Sequence, residues 1–187
     1  PEGVIAPSDP VLTLTPEWDG PMPPRILPRV AARAGVDLNP LDPTAPEDLL
    51  RLTAYLWPDQ PERLALTRAA ATVMDAPIHR GDAIDWLERR LVSVPEGHLH
   101  LIQHTVAWQY FPADVQARRT ALLEAVGARA PATRPLAWLT KASAGDTTGN
   151  IGAALTLRLW PGDVTLPLGR ADFHGRWIRW NGVLRAD

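Results

Sequence analysis

Residues 98–140 have the sequence HLHLIQHTVAWQYFPADVQARRTALLEAVGARAPATRPLAWLT. The segment from His98 to Gln103 has the composition and length of a strand. A helix is predicted from Ala113 to about Val126, and Gly127 is a natural stop for it. Leu136 to Thr140 predicts a second strand. The order strand, helix, strand predicts an α/β fold.

The same alternation extends toward the amino terminus. Val36 to Leu38 predicts a short buried strand, and the segment around His79 is extended. We expect Val36, His79 and Leu101 to lie on adjacent, mainly parallel strands, because each precedes a helix signal. The helix signals are Thr44 as a cap with Pro46 in the first turn, Asp59 as a cap for a helix from Pro61 to Met74, and the apolar face of Ile84, Leu87 and Leu91.

The pattern changes toward the carboxyl terminus. Leu155 to Trp160, Val164 to Leu168 and Ala171 to Trp180 alternate with a period of two, which is typical of antiparallel strands. We expect the hairpin from Leu155 to Leu168 to form an edge of the sheet. The small polar residues from Ser143 to Gly152 predict a loop.

Composition excludes several classes of protein. The chain has 187 residues, 19 of them basic and 21 acidic, which gives a net charge of -2. Binding of nucleic acid or of a membrane surface through basic patches is therefore not expected. There is no cysteine and no apolar run near the ~20 residues of a membrane span. We predict a cytoplasmic protein with a Pro-rich arm or edge strand at 1–28 and an α/β domain at 29–187.

Five blocks of sequence resemble a bacterial family of unknown function, over roughly residues 10–180. Members of that family are similar to class I S-adenosylmethionine-dependent methyltransferases. The blocks are GVDLNPLD at 35–42, WPDQPER at 57–63, GDA at 81–83, HTVAWQY at 104–110 and ADFHGRW at 171–177.

The resemblance implies a Rossmann-like, methyltransferase-type sandwich, present in part, with antiparallel carboxyl-terminal strands. It implies that Asp37 contacts the cofactor ribose, that Asp82 lies near the adenine, and that the segment from His104 to Tyr110 faces the substrate. S-adenosylmethionine is expected only where a Gly-rich segment precedes the matched region, and this sequence contains none. The chain is therefore expected to be the larger, carboxyl-terminal part of a longer protein.

Each acidic candidate also has a structural interpretation. Asp37 can cap a turn in a proline-interrupted loop, and Asp82 and Asp59 can each cap a helix. Arg63 can hold a carboxylate or phosphate by a two-pronged contact, or it can form an ion pair within the fold.

The histidines allow two kinds of chemistry. His98 and His100 would share a face of a strand, but Leu99 and Leu101 are interpreted as the core face, and a third ligand is lacking. We therefore predict no bound transition metal. His104 lies where its strand should end, the usual place for ligand contacts in open α/β sheets.

Near the carboxyl terminus, an extended chain would place Asp172, His174 and Arg176 on one face. That row can be an acid–base pair with an anion anchor, or an ion-pair ladder on a solvated face. We assign catalysis to His104, Tyr110, Asp172 and His174, and binding of an unknown small-molecule substrate to Asp59, Gln60, Arg63 and Arg176.

Three functions remain open at this point. The leading one is methyl transfer from S-adenosylmethionine to a small molecule or protein. The alternatives are a non-catalytic binding module on a degenerate methyltransferase scaffold and a metal-dependent hydrolase. Because the first strand of the resembled fold is missing, the edge of the Val36 strand should be covered by Val11 to Leu14, by a second copy in a homodimer, or by residues of a longer precursor. The prolines of the arm favour the last two.

Overall fold

The computed structural model describes residues 9–142 and 152–182. Its contacts divide the chain into two compact units, one made of residues 4–14 and 25–86, the other of 1–3, 15–24 and 87–187. The loop predicted from Ser143 to Gly152 lies outside the described residues except for Gly152. The elements in chain order are β1 (Glu17–Asp19), β2 (Gly35–Asp37), α1 (Pro46–Ala54), α2 (Pro61–Thr72), β3 (Ile78–Arg80), α3 (Ala83–Arg90), β4 (His100–Thr105), a 3₁₀ turn (Trp108–Tyr110), α4 (Ala113–Gly127), β5 (Leu136–Ala142), β6 (Ala153–Trp160), β7 (Val164–Ala171) and β8 (Trp177–Trp180).

Strands β2 and β3 form a two-stranded parallel sheet in which Val36 lies opposite His79. Helices α1 and α2 connect the two strands, as a parallel crossover requires. The predicted pairing of the Val36 and His79 strands is therefore confirmed. The placement of Leu101 on the next strand is wrong, because β4 belongs to the other sheet.

Helices α1 and α2 both begin with a proline in the first turn, where a missing N–H costs nothing. The predicted side-chain caps are wrong. The N-cap residues are Ala45 and Gln60, and neither makes a side-chain capping bond. Thr44 instead donates its backbone N–H and its hydroxyl to Asp42, which closes the preceding turn.

The second sheet has six strands in the order β1-β8-β7-β6-β5-β4. Strands β4 and β5 are parallel and are connected by α4, whereas β5 to β8 run antiparallel. The Leu155 to Leu168 hairpin is confirmed, but its predicted edge position is wrong, because β8 and β1 pair outside it. Val11 to Leu14 forms no strand, and β1 pairs with β8 at the far edge from β4.

Helix α4 packs on one face of this sheet through Arg119, Leu123 and Gly127, which are its buried residues. A Cβ at Gly127 would lie 2.4 Å from the Trp160 ring, so the helix and β6 are in close contact. The prediction that Leu99 and Leu101 face the core is wrong, since they are 56% and 47% exposed. The alternate residues of β4, His100, Ile102 and His104, lie on its less exposed face.

No helix in the described part of the chain is long and apolar enough to cross a membrane.

Candidate functional site

Most of the predicted catalytic residues, among them His104, Asp172 and His174, lie at one end of the six-stranded sheet. Because β4, β5 and β7 run in the same direction, their carboxyl ends lie at the same end of the sheet. His104 is near the end of β4, and residues 172–176 follow β7. The Lys141 ammonium, near the end of β5, donates a hydrogen bond to the Phe173 carbonyl over 3.0 Å.

The segment from Asp172 to Arg176 is a tight turn, so the predicted extended row of side chains is wrong. The cause is local. Asp172 Oδ2 accepts hydrogen bonds from the backbone N–H groups of His174 (2.9 Å) and Arg176 (3.2 Å), and Gly175 adopts a φ of 81°. The Arg176 guanidinium also donates to both carboxylate oxygens.

Asp172 is only 5% exposed, and its carboxylate is occupied on both oxygens. The Arg176 side chain, followed by the backbone N–H groups, holds the pKa of Asp172 far below its usual range. A carboxylate in this state is a poor proton acceptor at neutral pH. The geometry therefore gives Asp172 a turn-forming role, and it leaves His174 exposed beside it.

Tyr110, another of the predicted catalytic residues, lies on the 3₁₀ turn and is 75% exposed. His104 is different. Its ring lies 6.1 Å from the Trp108 ring and 6.2 Å from the Trp138 ring. Both ring nitrogens are buried and have no hydrogen-bond partner within the described residues.

Arg119 completes this group of side chains. It is 4% exposed, and its guanidinium carbon lies 3.5 Å from the Trp108 ring centroid and 4.4 Å from that of Trp138. These are cation–π contacts. We call His104, Trp108, Arg119 and Trp138 the His104 cluster.

Burial controls the charges of the His104 cluster. Desolvation, followed by the nearby Arg119 charge, lowers the pKa of His104 from 6.5 to about 4. Desolvation also lowers the pKa of Arg119 from 12.5 to about 9. At neutral pH the imidazole is therefore neutral and the guanidinium remains charged.

The chain after β4 is bent so that Trp108 reaches this cluster. Val106 has a φ of 57°, which is uncommon for a β-branched residue, and its N–H bonds the Lys141 carbonyl over 2.7 Å. Gln116 on α4 donates to the carbonyls of Trp108 (3.2 Å) and Phe111 (2.8 Å). The 3₁₀ turn is thus fixed to the helix that carries Arg119.

Arg119 and Trp138 were not predicted from the sequence, and Trp108 was singled out only as part of the segment from His104 to Tyr110. One signal was available: Arg119, Leu123 and Gly127 are spaced four apart, which places them on one helical face. Leu123 and Gly127 are plausible core residues, so an arginine in line with them was a candidate for a buried charge.

Asp37 and Asp82 lie in the other unit, at the carboxyl end of the β2–β3 pair. Asp37 Oδ1 accepts the Asn39 N–H over 2.7 Å, which makes a side-chain turn. Asp82 Oδ1 accepts the N–H groups of Ile84 (2.8 Å) and Asp85 (3.0 Å) and so caps α3. Both structural interpretations of these acids are correct, and the structure also brings the two acids to the same end of a parallel pair.

The predicted substrate residues at the start of α2 form a local arrangement. Arg63 donates to the side-chain oxygen of Gln60 over 3.1 Å, whereas Asp59 is exposed and precedes the N-cap residue. Arg176 bonds Asp172, as described above. The four residues assigned to substrate binding are thus distributed over both units.

Residues 4–180 match the model of a family described as an uncharacterised protein conserved in bacteria, DUF2332. The chain belongs to DUF2332. The resemblance of the five sequence blocks to a bacterial family of unknown function is therefore confirmed. No curated protein and no solved structure matches the chain.

In this DUF2332 chain the histidine series does not form a metal centre within the described residues. His98 precedes β4, and its Nδ1 lies 2.9 Å from the Glu96 carbonyl. No group of three His, Asp or Glu side chains there is placed to hold a metal ion. The expectation of a metal-free protein stays a prediction, which elemental analysis checks.

Two concave regions lie elsewhere on the six-stranded unit of the DUF2332 chain. One, of about 300 Å³, is lined by Leu91, His100 and Leu136 among others. The second, of about 470 Å³, lies beside Arg158, which bridges Glu124 and Asp163. These two carboxylates balance the charge of Arg158. Neither region is lined by a residue of the His104 cluster.

Proposed function

We propose that this protein transfers a methyl group from S-adenosylmethionine to a small-molecule or protein substrate, on a Rossmann-like sheet. The observation that carries the proposal is the position of Asp37 and Asp82 at the carboxyl end of a parallel pair of strands. In open α/β sheets, ligands bind outside the carboxyl ends of the strands.

The strand pairing supports the same fold. Within the described residues, β2 pairs only with β3, and β4 pairs only with β5. In the methyltransferase-like order the first strand lies beside the second. A strand supplied from outside the described residues, or by a second copy, would therefore have an open edge of β2 to pair with.

The two acids retain capacity for a ligand beyond their structural bonds. Asp37 uses Oδ1 for the turn at Asn39, and its Oδ2 has no hydrogen bond within the described residues. That oxygen would accept a ribose hydroxyl. Asp82 similarly uses Oδ1 to cap α3.

The cofactor, when bound, supplies an electrophilic methyl group, so the substrate nucleophile must lose a proton. His104 is neutral at pH 7, but with a pKa of about 4 it is a weak base. It is better suited to orient a substrate by hydrogen bonding. Exposed His174 and Tyr110 stay as candidates for proton transfer.

Calorimetric titration of S-adenosylmethionine and S-adenosylhomocysteine into the full-length protein tests the proposal. We expect Asp37→Asn to weaken binding at least about tenfold, because the amide removes the charge but still accepts the Asn39 N–H. Asp42→Asn, in the next turn of the same loop, is the matched control and should bind as the wild type does. Absence of binding by the wild type, or equal binding by Asp37→Asn, would overturn the proposal.

A second candidate is a non-catalytic binding module on the same scaffold. It is favoured by the local backbone bonds of Asp37 and Asp82, which explain both acids without a cofactor. The calorimetry separates the two functions, since a module of this kind would bind neither sulfonium nor thioether cofactor.

A further inference from the structure

The buried side-chain polar groups that lack partners in the described part of the chain are concentrated in one place. Four buried side-chain nitrogens within the described residues have no hydrogen-bond partner: His104 Nδ1 and Nε2, Arg119 Nε and Trp138 Nε1. All four belong to the His104 cluster. Buried polar groups without partners are rare in native proteins, and each one needs an explanation.

The charge of the His104 cluster is as unusual as its hydrogen bonding. Arg119 forms no ion pair with a carboxylate of the described residues, and it is 4% exposed. The neighbouring His104 is neutral at pH 7. The cluster therefore has one positive charge, which one negative charge would balance.

The shape and chemistry of these groups narrow the class of ligand. A guanidinium presents coplanar N–H donors that match the two oxygens of a carboxylate. Phosphate monoesters carry nearly two charges at pH 7 and would be under-compensated by a single arginine. The Trp108 ring packs against the rings of Phe111 and Trp138, at centroid distances of 6.2 and 6.3 Å, so the groups beside the guanidinium are largely apolar.

We propose that the His104 cluster binds the carboxylate of a small organic acid, with Arg119 as its counterion and Trp138 and His104 as further hydrogen-bond donors. The site is independent of the cofactor acids, because every residue of it lies in the unit of the six-stranded sheet. It accounts for the buried charge and for three of the four unpaired nitrogens, since a neutral imidazole has one N–H to donate to a carboxylate.

Titration with benzoate tests this site, and benzamide is the control ligand because it has the same shape without the charge. We expect benzoate to bind with a dissociation constant of about 1 mM or below and to shift the indole N–H resonances of Trp108 and Trp138. The His104 pKa, followed by NMR, should rise on binding because an anion stabilises the imidazolium. No S-adenosylmethionine is present, so failure of the methyl-transfer proposal does not affect the outcome.

Variants of two adjacent arginines identify the group responsible. Arg119→Met should weaken benzoate binding at least about tenfold, and Arg119→Lys should weaken it less, because the charge is kept but the planar donor pair is lost. Arg118→Met should bind benzoate as the wild type does, since the Arg118 side chain is 48% exposed and pairs with Glu88. Equal binding of benzamide, no binding of benzoate to folded wild type, or unchanged binding by Arg119→Met would overturn the proposal.

Discussion

Arg176 and Arg119 both belong to the unit of the six-stranded sheet, but only the charge of Arg176 is balanced by an anion within the described residues. The Arg176 side chain is 77% exposed and bonds the buried Asp172 carboxylate over 2.9 Å. Arg119 is buried against two tryptophan rings and has no anion within the described residues. The first arrangement is complete as it stands, whereas the second lacks a partner.

This difference is the reason for assigning a structural role to Asp172 and Arg176 and for proposing a binding role for Arg119. A satisfied carboxylate in a turn stabilises that turn, and its removal should reduce the stability of the fold. A buried cation without an anion stabilises the fold little or not at all, because its desolvation is not compensated. Stability measurements on the two regions should therefore differ in sign or in size.

The largest expected effect is the loss of the Asp172 turn. Asp172→Asn should lower the free energy of unfolding by about 2–3 kcal/mol, because a charged acceptor of two backbone N–H groups is lost from a buried position. Urea unfolding followed by tryptophan fluorescence measures the change. Arg176→Ala should also lower the free energy of unfolding, because it leaves the buried Asp172 carboxylate without its charged partner. Equal stability of Asp172→Asn and the wild type would contradict the structural role.

The pH dependence of stability should distinguish the two regions next. The pKa of His104 is lowered in the folded protein to about 4, so the unfolded chain takes up the proton first as the pH falls below 6.5. Stability is therefore kept above pH 6.5 and lost between pH 6.5 and 4, by about 2 kcal/mol after allowance for solvent screening.

The Asp172 contribution falls in a different range, because its lowered pKa confines the loss to pH values below about 4. In His104→Phe, the free energy of unfolding should depend less on pH between 6.5 and 4, and the loss below about pH 4 should be unchanged. His100, whose pKa burial also lowers, keeps a residual slope in the upper range. An unchanged slope between pH 6.5 and 4 in His104→Phe would contradict the assignment.

A smaller effect is expected at the contact between α4 and β6. Gly127→Ala places a Cβ 2.4 Å from the Trp160 ring, so we expect a loss of about 1–2 kcal/mol. Helix propensity alone predicts the opposite sign, a gain of about 1 kcal/mol. A gain in thermal stability would mean that α4 does not pack closely against β6. Arg119, on the same helix, would then not be held in a buried position.

The smallest effect is expected at Arg119. Arg119→Met should change the free energy of unfolding by less than about 1 kcal/mol, because the lost cation–π contacts are offset by removal of a buried charge. Chemical denaturation at pH 7 measures this. A loss as large as that of Asp172→Asn would make Arg119 a structural residue.

The elements with strong local signals could be predicted from the sequence. Helix α4 lies at Ala113–Gly127, within one residue of the prediction, and the β6–β7 hairpin was indicated by its period of two. The central position of that hairpin could not be predicted, because it depends on non-local pairing of β8 and β1. Gly175 was the available signal that Ala171 to Trp180 is interrupted by a turn.

The candidate site was predictable only in part. Asp37 and Asp82 were assigned through the resemblance to methyltransferases, and His104 because its strand was expected to end there. The structure places Asp37 and His104 near strand ends, and Asp82 two residues after β3. The inward face of β4 was assigned wrongly, because leucine and histidine alternate there and the usual preference for buried leucine does not hold. Arg119 was missed because charged residues are rarely buried, so an arginine is normally expected on the exposed face of a helix.

We propose that S-adenosylmethionine binds at the carboxyl ends of the parallel strands β2 and β3. The most direct test is a map of backbone amide shifts in the ¹⁵N-labelled full-length protein on addition of S-adenosylhomocysteine. We predict saturable shifts at Val36 to Asn39 and at Gly81 to Ile84, which surround Asp37 and Asp82. Shifts confined to other parts of the protein, or no shifts at saturating ligand, would contradict the claim.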